Sequence, residues 1–164
     1  MHFIEYEEIE NKTIAQAIDY IESIDGIKLA ELKVRDLSYQ DNKIILPGEG
    51  VYVFREGVRP VYVGKVSSMS FTERIAKHFD VREFAWFNRL LELVNWFKLE
   101  DQIKREFYID ASKYAFEHLN LVMINFKSRE RINRTESLFR AAMEPLNGYK
   151  NVRIIDYSIL IKEY

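Results

Sequence analysis

Valine and tyrosine alternate along two neighbouring segments, residues 50–54 and 58–66, and both residue types favour a pleated, half-buried surface. Strand side chains point alternately to opposite faces, so the pattern predicts a β-hairpin with a valine face and a tyrosine face. A three-residue loop, Glu56 to Val58, places Tyr52 opposite Tyr62 and gathers the valines of both strands on the other face. We therefore expect the two phenol rings to lie side by side.

A short helix is predicted from about Phe71, directly after a loop. Ser70 is suited to the N-cap, and Glu73 stands three residues later, where a capping box has its acidic member. Arg74 and His78 are four residues apart, so they project from the same edge of this helix.

Apolar periodicity places further elements along the chain. Helices are predicted over 13–23, 82–99, part of 101–117 and 128–144, and strands over 43–46, 119–126 and 152–161. Residues 29–37 leave helix and strand open. The predicted fold class is α/β of the α+β kind: a small, mainly antiparallel sheet flanked by helices, with an N-terminal helical addition.

Charge divides the chain into two predicted parts. Residues 1–49 carry 5 Lys/Arg and 11 Asp/Glu, a net charge of −6, whereas residues 50–164 carry 19 and 15, a net charge of +4. We interpret 1–49 as an acidic helical extension packed on the core, rather than as a mimic of DNA charge, and 50–164 as one compact domain. Local positive charge attracts a polyanion even where the overall charge is −2.

The composition excludes several classes of protein. The absence of cysteine excludes disulfides and thiolate metal sites. No apolar run is long enough to span a bilayer and none has the form of a signal peptide, so we expect a cytoplasmic protein with no membrane partner.

The hairpin and the residues after it resemble the GIY-YIG nuclease family. Valine replaces the isoleucine of both half-motifs, and the other matching positions occur in the family's order. The residues that match are Gly50-Val51-Tyr52, Tyr62-Val63-Gly64, Lys65, Arg74, His78, Glu136, Pro145 and Asn147. Phe71 departs from the usual aliphatic residue, and Asn147 stands one residue closer to the proline than in common members.

The resemblance implies a metal-dependent DNA endonuclease that hydrolyses phosphodiester bonds. Glu136 is then the ligand of Mg²⁺, for which Mn²⁺ substitutes, and one carboxylate suffices because magnesium keeps several waters. Tyr52 orients or deprotonates the attacking water, with Lys65 as the cation that favours its phenolate, and Tyr62 positions water or phosphate.

The remaining matched residues receive supporting roles from the same resemblance. Arg74 clamps the phosphate with its planar guanidinium, and His78 binds phosphate or transfers a proton. Gly64 lets the backbone approach closely, and Asn147 orders the site.

Basic side chains at the start of the last predicted helix add a candidate DNA contact. This cluster consists of Lys127, Arg129, Arg131 and Arg134, and its alternative is a solvated face.

Simpler interpretations stay open for the other residues. The tyrosines are also suited to a cross-strand aromatic pair, and Glu136 to an ion pair with Arg140 or Arg134. Two further functions remain alternatives: a non-catalytic DNA-binding or protein-interaction module on the same fold, and a homodimer formed through the aromatic helix 82–99.

Overall fold

The structure is a computed structural model that describes residues 1–82, 85, 88–98 and 105–148. The predicted final strand at 152–161 lies outside the described residues, as does part of the predicted helix 82–99.

A five-stranded sheet forms the centre of the described fold. Its strands are β1 (Phe3–Glu5), β2 (Ile27–Lys28), β5 (Gly50–Glu56), β6 (Arg59–Val66) and β7 (Leu119–Asn125). The order is β1-β7-β5-β6, and β2 also pairs with β7. Only the β1–β7 pairing is parallel, so the predicted mainly antiparallel sheet is confirmed. The predicted strand 119–126 is also confirmed, beside β5.

Helices cover both faces of the sheet. They are α1 (Ile14–Ser23), α2 (Phe71–Lys77), α3 (Arg89–Lys98), α4 (Arg105–His118) and α5 (Ile132–Met143). Residues 29–37, left open by the sequence, contain two 3₁₀ turns, Leu29–Glu31 and Val34–Leu37. A separate small hairpin pairs β3 (Tyr39–Gln40) with β4 (Lys43–Ile44).

The two sides of the hairpin β5–β6 belong to two different cores. We call the side of Val51, Val53 and Val63 the valine face; it packs with buried residues of α1 and α5. The side of Tyr52, Phe54 and Tyr62 is the tyrosine face, and it packs with α2, α3 and α4. The predicted separation of valines from tyrosines is confirmed at these positions.

The predicted register of the hairpin is wrong by two residues. Tyr52 pairs with Gly64, not with Tyr62, and Tyr62 pairs with Phe54. Glu56 pairs with Arg59, which leaves a two-residue turn, and a β-bulge follows next to Arg55. Val61 is the extra residue of the bulge and packs in the core of the tyrosine face, where the sequence had not placed it.

The N-terminal part supplies strands as well as a helix. β1 and β2 both pair with β7, so two strands of the N-terminal part belong to the same sheet as the hairpin. Helix α1 begins after the N-cap Thr13, whose side-chain oxygen accepts a hydrogen bond from the backbone amide of Gln16 at 3.2 Å. Threonine is one of the residues that favour this position.

The predicted aromatic helix 82–99 is shorter in the structure. Helix α3 begins at Arg89, and its described apolar side chains Leu90, Leu91, Leu93 and Val94 are buried within the same chain, while Phe97 is exposed. These four side chains are therefore not free for a dimer contact, and the homodimer stays a prediction. Among the described residues, no helix is both long and apolar enough to cross a membrane.

Candidate active site

Tyr52 leans across the edge strand because its neighbour has no side chain. A Cβ built on Gly64 would lie 2.3 Å from the hydroxyl oxygen and from Cζ of Tyr52. The ring therefore occupies the volume of the missing side chain, and glycine is required here for this close approach. The predicted role of Gly64 in close packing takes a specific form: it positions the Tyr52 hydroxyl.

Helix α2 brings two cationic or titratable side chains to this hydroxyl. Ser70 caps the helix by accepting the Glu73 amide at 3.2 Å, and His78 is the residue at its C-cap. Arg74 donates from Nε to the Tyr52 hydroxyl at 3.2 Å, and Nε2 of His78 lies 2.6 Å from the same oxygen.

Tyr62 completes this group, which we call the phenol cluster: Tyr52, Tyr62, Arg74 and His78. The Tyr62 ring stacks with Tyr52 at a centroid distance of 6.1 Å and meets the His78 ring edge-on at 4.8 Å. Arg74 interacts electrostatically with both hydroxyls. The predicted proximity of these four side chains is present, although Tyr52 and Tyr62 are diagonal neighbours rather than a directly opposed pair.

Burial controls the protonation of the cluster. Burial, aided by the Arg74 charge, lowers the pKa of His78 from its ordinary 6.5 to about 3, so the imidazole is neutral near pH 7. Burial also raises the pKa of Tyr52, an effect that Arg74 opposes without cancelling. In either tautomer, Tyr52 and His78 share one proton between oxygen and Nε2. Nδ1 of His78 has no hydrogen-bond partner within the described part of the chain.

Lys65 does not belong to the phenol cluster. It follows Gly64 on β6, so its side chain points to the other face of the sheet, and there Nζ donates to Oδ1 of Asn133 on α5. The prediction that Lys65 stabilises a Tyr52 phenolate is therefore wrong, because the strand separates the two groups.

Glu136 comes from a helix of the opposite layer. It belongs to α5, which packs on the valine face, whereas α2 and the tyrosines share the other core. Its buried carboxylate accepts from Nη1 of Arg140 at 3.2 Å, and the side chains are 4% and 16% exposed. The sequence had offered this ion pair as the alternative to a metal ligand, and the convergence of Glu136 with the tyrosines on one cleft stays a prediction.

Arg140 links Glu136 to the segment that follows α5. Its Nε donates to the Gly148 carbonyl at 2.7 Å and its Nη2 to the Asn147 carbonyl at 2.6 Å. Asn147 in turn binds both backbone groups of Val63: its Nδ2 donates to the carbonyl at 2.7 Å, and its Oδ1 accepts the amide at 3.2 Å. Asn147 thus orders the middle residue of the second half-motif, as expected, from the outer edge of β6.

The predicted DNA-contacting cluster is largely neutralised within the chain. Three of its cations face carboxylates from residues 1–49. The pairs are Lys127 with Glu7 at 2.7 Å, Arg129 with Glu49 at 2.6 Å and Arg131 with Glu10 at 3.9 Å. Contact of these side chains with DNA stays a prediction, and it would require exchange of these pairs.

A resident magnesium ion does not fit the observed arrangement. The carboxylate of Glu136 faces a guanidinium in a buried ion pair, and its helix lies across the sheet from the phenol cluster. No three histidine, aspartate or glutamate side chains of the described residues are grouped so that they could hold a metal, although the predicted site needs only one carboxylate. We therefore derive no catalytic step through a bound metal.

Sequence reasoning missed the structural roles of two polar residues. Asn133 accepts a hydrogen bond from the Lys65 ammonium, and Arg140 connects Glu136 by hydrogen bonds to the segment after α5. The only sequence signal for the second was the four-residue spacing of Glu136 and Arg140 on a predicted helix. Comparison with protein-family models, curated proteins and solved structures gave no match to this chain.

Proposed function

We propose that this chain is a DNA endonuclease of the GIY-YIG type that hydrolyses phosphodiester bonds at the phenol cluster. The observation that supports the proposal most is the Tyr52 hydroxyl held between Arg74 and His78, above Gly64. These residues are distant in sequence and were selected by the family resemblance alone. Their meeting at one hydroxyl is what a reactive site requires.

In the proposed reaction, Arg74 binds the scissile phosphate. Its guanidinium is half-buried and always charged, so it neutralises charge that develops on the phosphate oxygens. Tyr62, at 7% exposure, is the more accessible phenol and orients the attacking water.

Proton transfer then runs through Tyr52. With the imidazole hydrogen of His78 on Nδ1, the water gives its proton to the Tyr52 oxygen while the Tyr52 proton passes to Nε2. The hydroxide forms a bond to phosphorus as the bond from phosphorus to the leaving oxygen breaks. The imidazolium returns its proton by the same path to the leaving oxygen. Phosphate charge beside Arg74 favours the imidazolium and so raises the low pKa of His78 when substrate is present.

A plasmid-nicking assay tests this proposal. Supercoiled plasmid is incubated with protein and Mg²⁺, because a divalent cation bound to DNA phosphates would enter with the substrate, and a parallel reaction contains a chelator. We expect nicking by the natural chain and a loss of about 100-fold or more in Arg74→Ala and Tyr62→Phe. Arg89→Ala, an exposed arginine on α3, is the matched control and should cut normally.

Full activity in both cluster variants would show that the reactive site lies elsewhere. Circular dichroism at the assay temperature verifies that each variant is folded, so that a loss is assigned to chemistry.

DNA binding without cleavage is a second candidate function, and one observation favours it. Tyr52 is fully buried with a raised pKa, which disfavours a phenolate base. Fluorescence anisotropy with a labelled duplex, over a range of salt concentrations, separates the two functions. Salt-dependent binding with no nicking under any condition would support the non-catalytic module.

A further inference from the structure

Five hydrogen bonds connect Glu136 to the second half-motif of the hairpin. Glu136 fixes Arg140, Arg140 holds two carbonyl groups of the following segment, and Asn147 from that segment clamps Val63. We call Glu136, Arg140, Asn147 and Val63 the edge network. The network reaches the outer side of β6 at Val63, which stands between Tyr62 and Gly64 in the strand.

We propose that Arg140 is a positioning residue for the phenol cluster and that Glu136 serves Arg140 rather than a metal ion. This inference rests on the proposed function for its catalytic part only. Arg140 acts through the backbone of β6 and is not itself a catalytic residue.

The first argument is the geometry of the guanidinium. Arg140 donates in three directions at once, to one carboxylate and two carbonyls, from Nη1, Nε and Nη2. A planar fork of five donors satisfies such a set, whereas an ammonium group does not. The Glu136 carboxylate neutralises the charge that this mostly buried fork brings into the protein.

The second argument is the position of Val63. β6 is the edge strand of the described sheet, with β5 on one side and the segment after α5 on the other. Leu146 also bonds the Val61 carbonyl at 3.0 Å, so the outer edge is held at two residues. Any loosening of this contact shifts Gly64, which lies against the Tyr52 ring, and Tyr62, which stacks on it.

The third argument concerns what a glutamine would do at position 136. An amide oxygen still accepts from Nη1 of Arg140, so Glu136→Gln keeps the hydrogen bond of the edge network. An amide is a poor ligand for a single-carboxylate magnesium site, because the negative charge is lost. The two roles of Glu136 therefore predict opposite results for one conservative variant.

The experiment measures two quantities on the full chain: amide hydrogen exchange at Val63 without DNA, and plasmid nicking. We expect Arg140→Met and Asn147→Ala to raise exchange at Val63 by about tenfold or more, because both release its amide. Nicking should fall mainly through kcat in both, whereas Glu136→Gln should stay within about threefold of the natural chain in both measurements. Arg89→Met on the exposed surface of α3 is the control.

Arg140→Met removes the guanidinium that faces the buried Glu136 carboxylate, and this change alone lowers the stability of the variant. The double variant Arg140→Met/Glu136→Leu removes both charges together. It should fold, and its Val63 amide should still exchange hydrogen rapidly. Unchanged exchange at Val63 in this double variant would overturn the inference, whether or not the chain cuts DNA.

A large loss of nicking in Glu136→Gln, with exchange at Val63 unchanged, would also overturn the inference, because Glu136 would then act on the reaction directly. If the natural chain does not cut DNA, the proposed function fails, and the exchange data still decide the positioning role.

Discussion

At the scale of single residues, the phenol cluster combines close packing with an unusual protonation state. His78 is fully buried, yet it is neutral and keeps one hydrogen bond to Tyr52. Burying the charged imidazolium would cost far more free energy than burying the neutral imidazole, since no acidic side chain in the cluster balances the charge. The same burial that keeps His78 neutral therefore makes the folded chain sensitive to acid.

Stability should fall as the pH drops below about 6.5. The unfolded chain protonates His78 near its ordinary pKa of 6.5, whereas the folded chain does so only near 3, so the unfolded state binds more protons within this window. The stability that neutral His78 contributes is thus fully present above pH 6.5. About 2 kcal/mol of the free energy of unfolding is lost between pH 7 and pH 5.

Urea titrations at both pH values measure this loss, and the comparison with His78→Gln isolates the residue from the carboxylates. His118→Gln, at an exposed histidine, should keep the slope of the natural chain. An equal pH slope in His78→Gln would mean that other groups cause the acid sensitivity.

Gly64→Ala should damage the site through one contact. The added methyl group lies where the Tyr52 ring now is, so we expect a loss of about 1–3 kcal/mol in the free energy of unfolding and reduced nicking. A double-mutant cycle provides the check: in a Tyr52→Ala background the same substitution should cost almost nothing. Equal costs in both backgrounds would exclude the ring as the cause.

At the scale of elements, sequence pattern predicted local structure well and long-range placement poorly. The caps at Thr13 and Ser70, and the four-residue spacing of Arg74 and His78, depend on neighbours along the chain and were correct. The face of the sheet on which α5 packs depends on how distant segments connect, and periodicity does not encode that choice. This is why the sequence did not show that the helix carrying Glu136 packs on the valine face.

The hairpin shows the same limit on a smaller scale. Alternation predicted the faces of Val51, Tyr52, Val53, Phe54, Tyr62 and Val63, but neither the bulged Val61 nor the register. A two-residue turn plus one bulged residue gives these positions the same alternation as a longer loop. The bulge lies beside Pro60, which has no amide hydrogen for the ladder. Propensity therefore predicted the strands, and only three-dimensional packing selected their partners.

Arg55 holds α1 against the hairpin and should be needed for stability. It is 1% exposed, and it donates to carbonyls at the end of α1, at 2.8 Å to Ile21 and 2.7 Å to Ile24, and to Asn120 at 2.9 Å. Replacing it with methionine leaves these buried acceptors unpaired, so Arg55→Met should lower the free energy of unfolding by at least about 3 kcal/mol.

Urea unfolding measures this loss, and Arg55→Lys should recover only part of it because one ammonium cannot reach all the acceptors. Normal stability in Arg55→Met would show that α1 is held by its apolar contacts alone. The sequence offered no sign of this role, since an arginine in a predicted strand is usually solvent-exposed.

At the scale of the whole molecule, charge is arranged differently from the sequence expectation. The acidic N-terminal part and the basic start of the α5 region neutralise one another through two exposed ion pairs, at Lys127 and Arg131, and through a third between Arg129 and the buried Glu49. The two exposed pairs contribute little stability, so they exchange readily with other charged partners. Their main effect is on the electrostatic potential that an approaching polyanion meets.

Removing the acidic partners should therefore strengthen DNA binding. We expect Glu7→Gln/Glu10→Gln to bind duplex DNA about threefold to tenfold more tightly at low salt, with a steeper dependence on salt concentration. Anisotropy titrations provide the measurement. Glu31→Gln, with an exposed carboxylate paired to Lys28, tests whether any lost negative charge has the same effect. An equal gain in that control would rule out a specific masking of the basic cluster.

The pairing of β1 with β7 has a consequence for how the chain folds. Phe3 pairs with Met123, so the first strand finds its neighbour about 120 residues later. The hairpin β5–β6 closes over a two-residue turn and assembles on its own much earlier during synthesis by the ribosome. The first strand must wait unpaired until almost the whole described chain has been made, and the slowest step in refolding should be the docking of this strand.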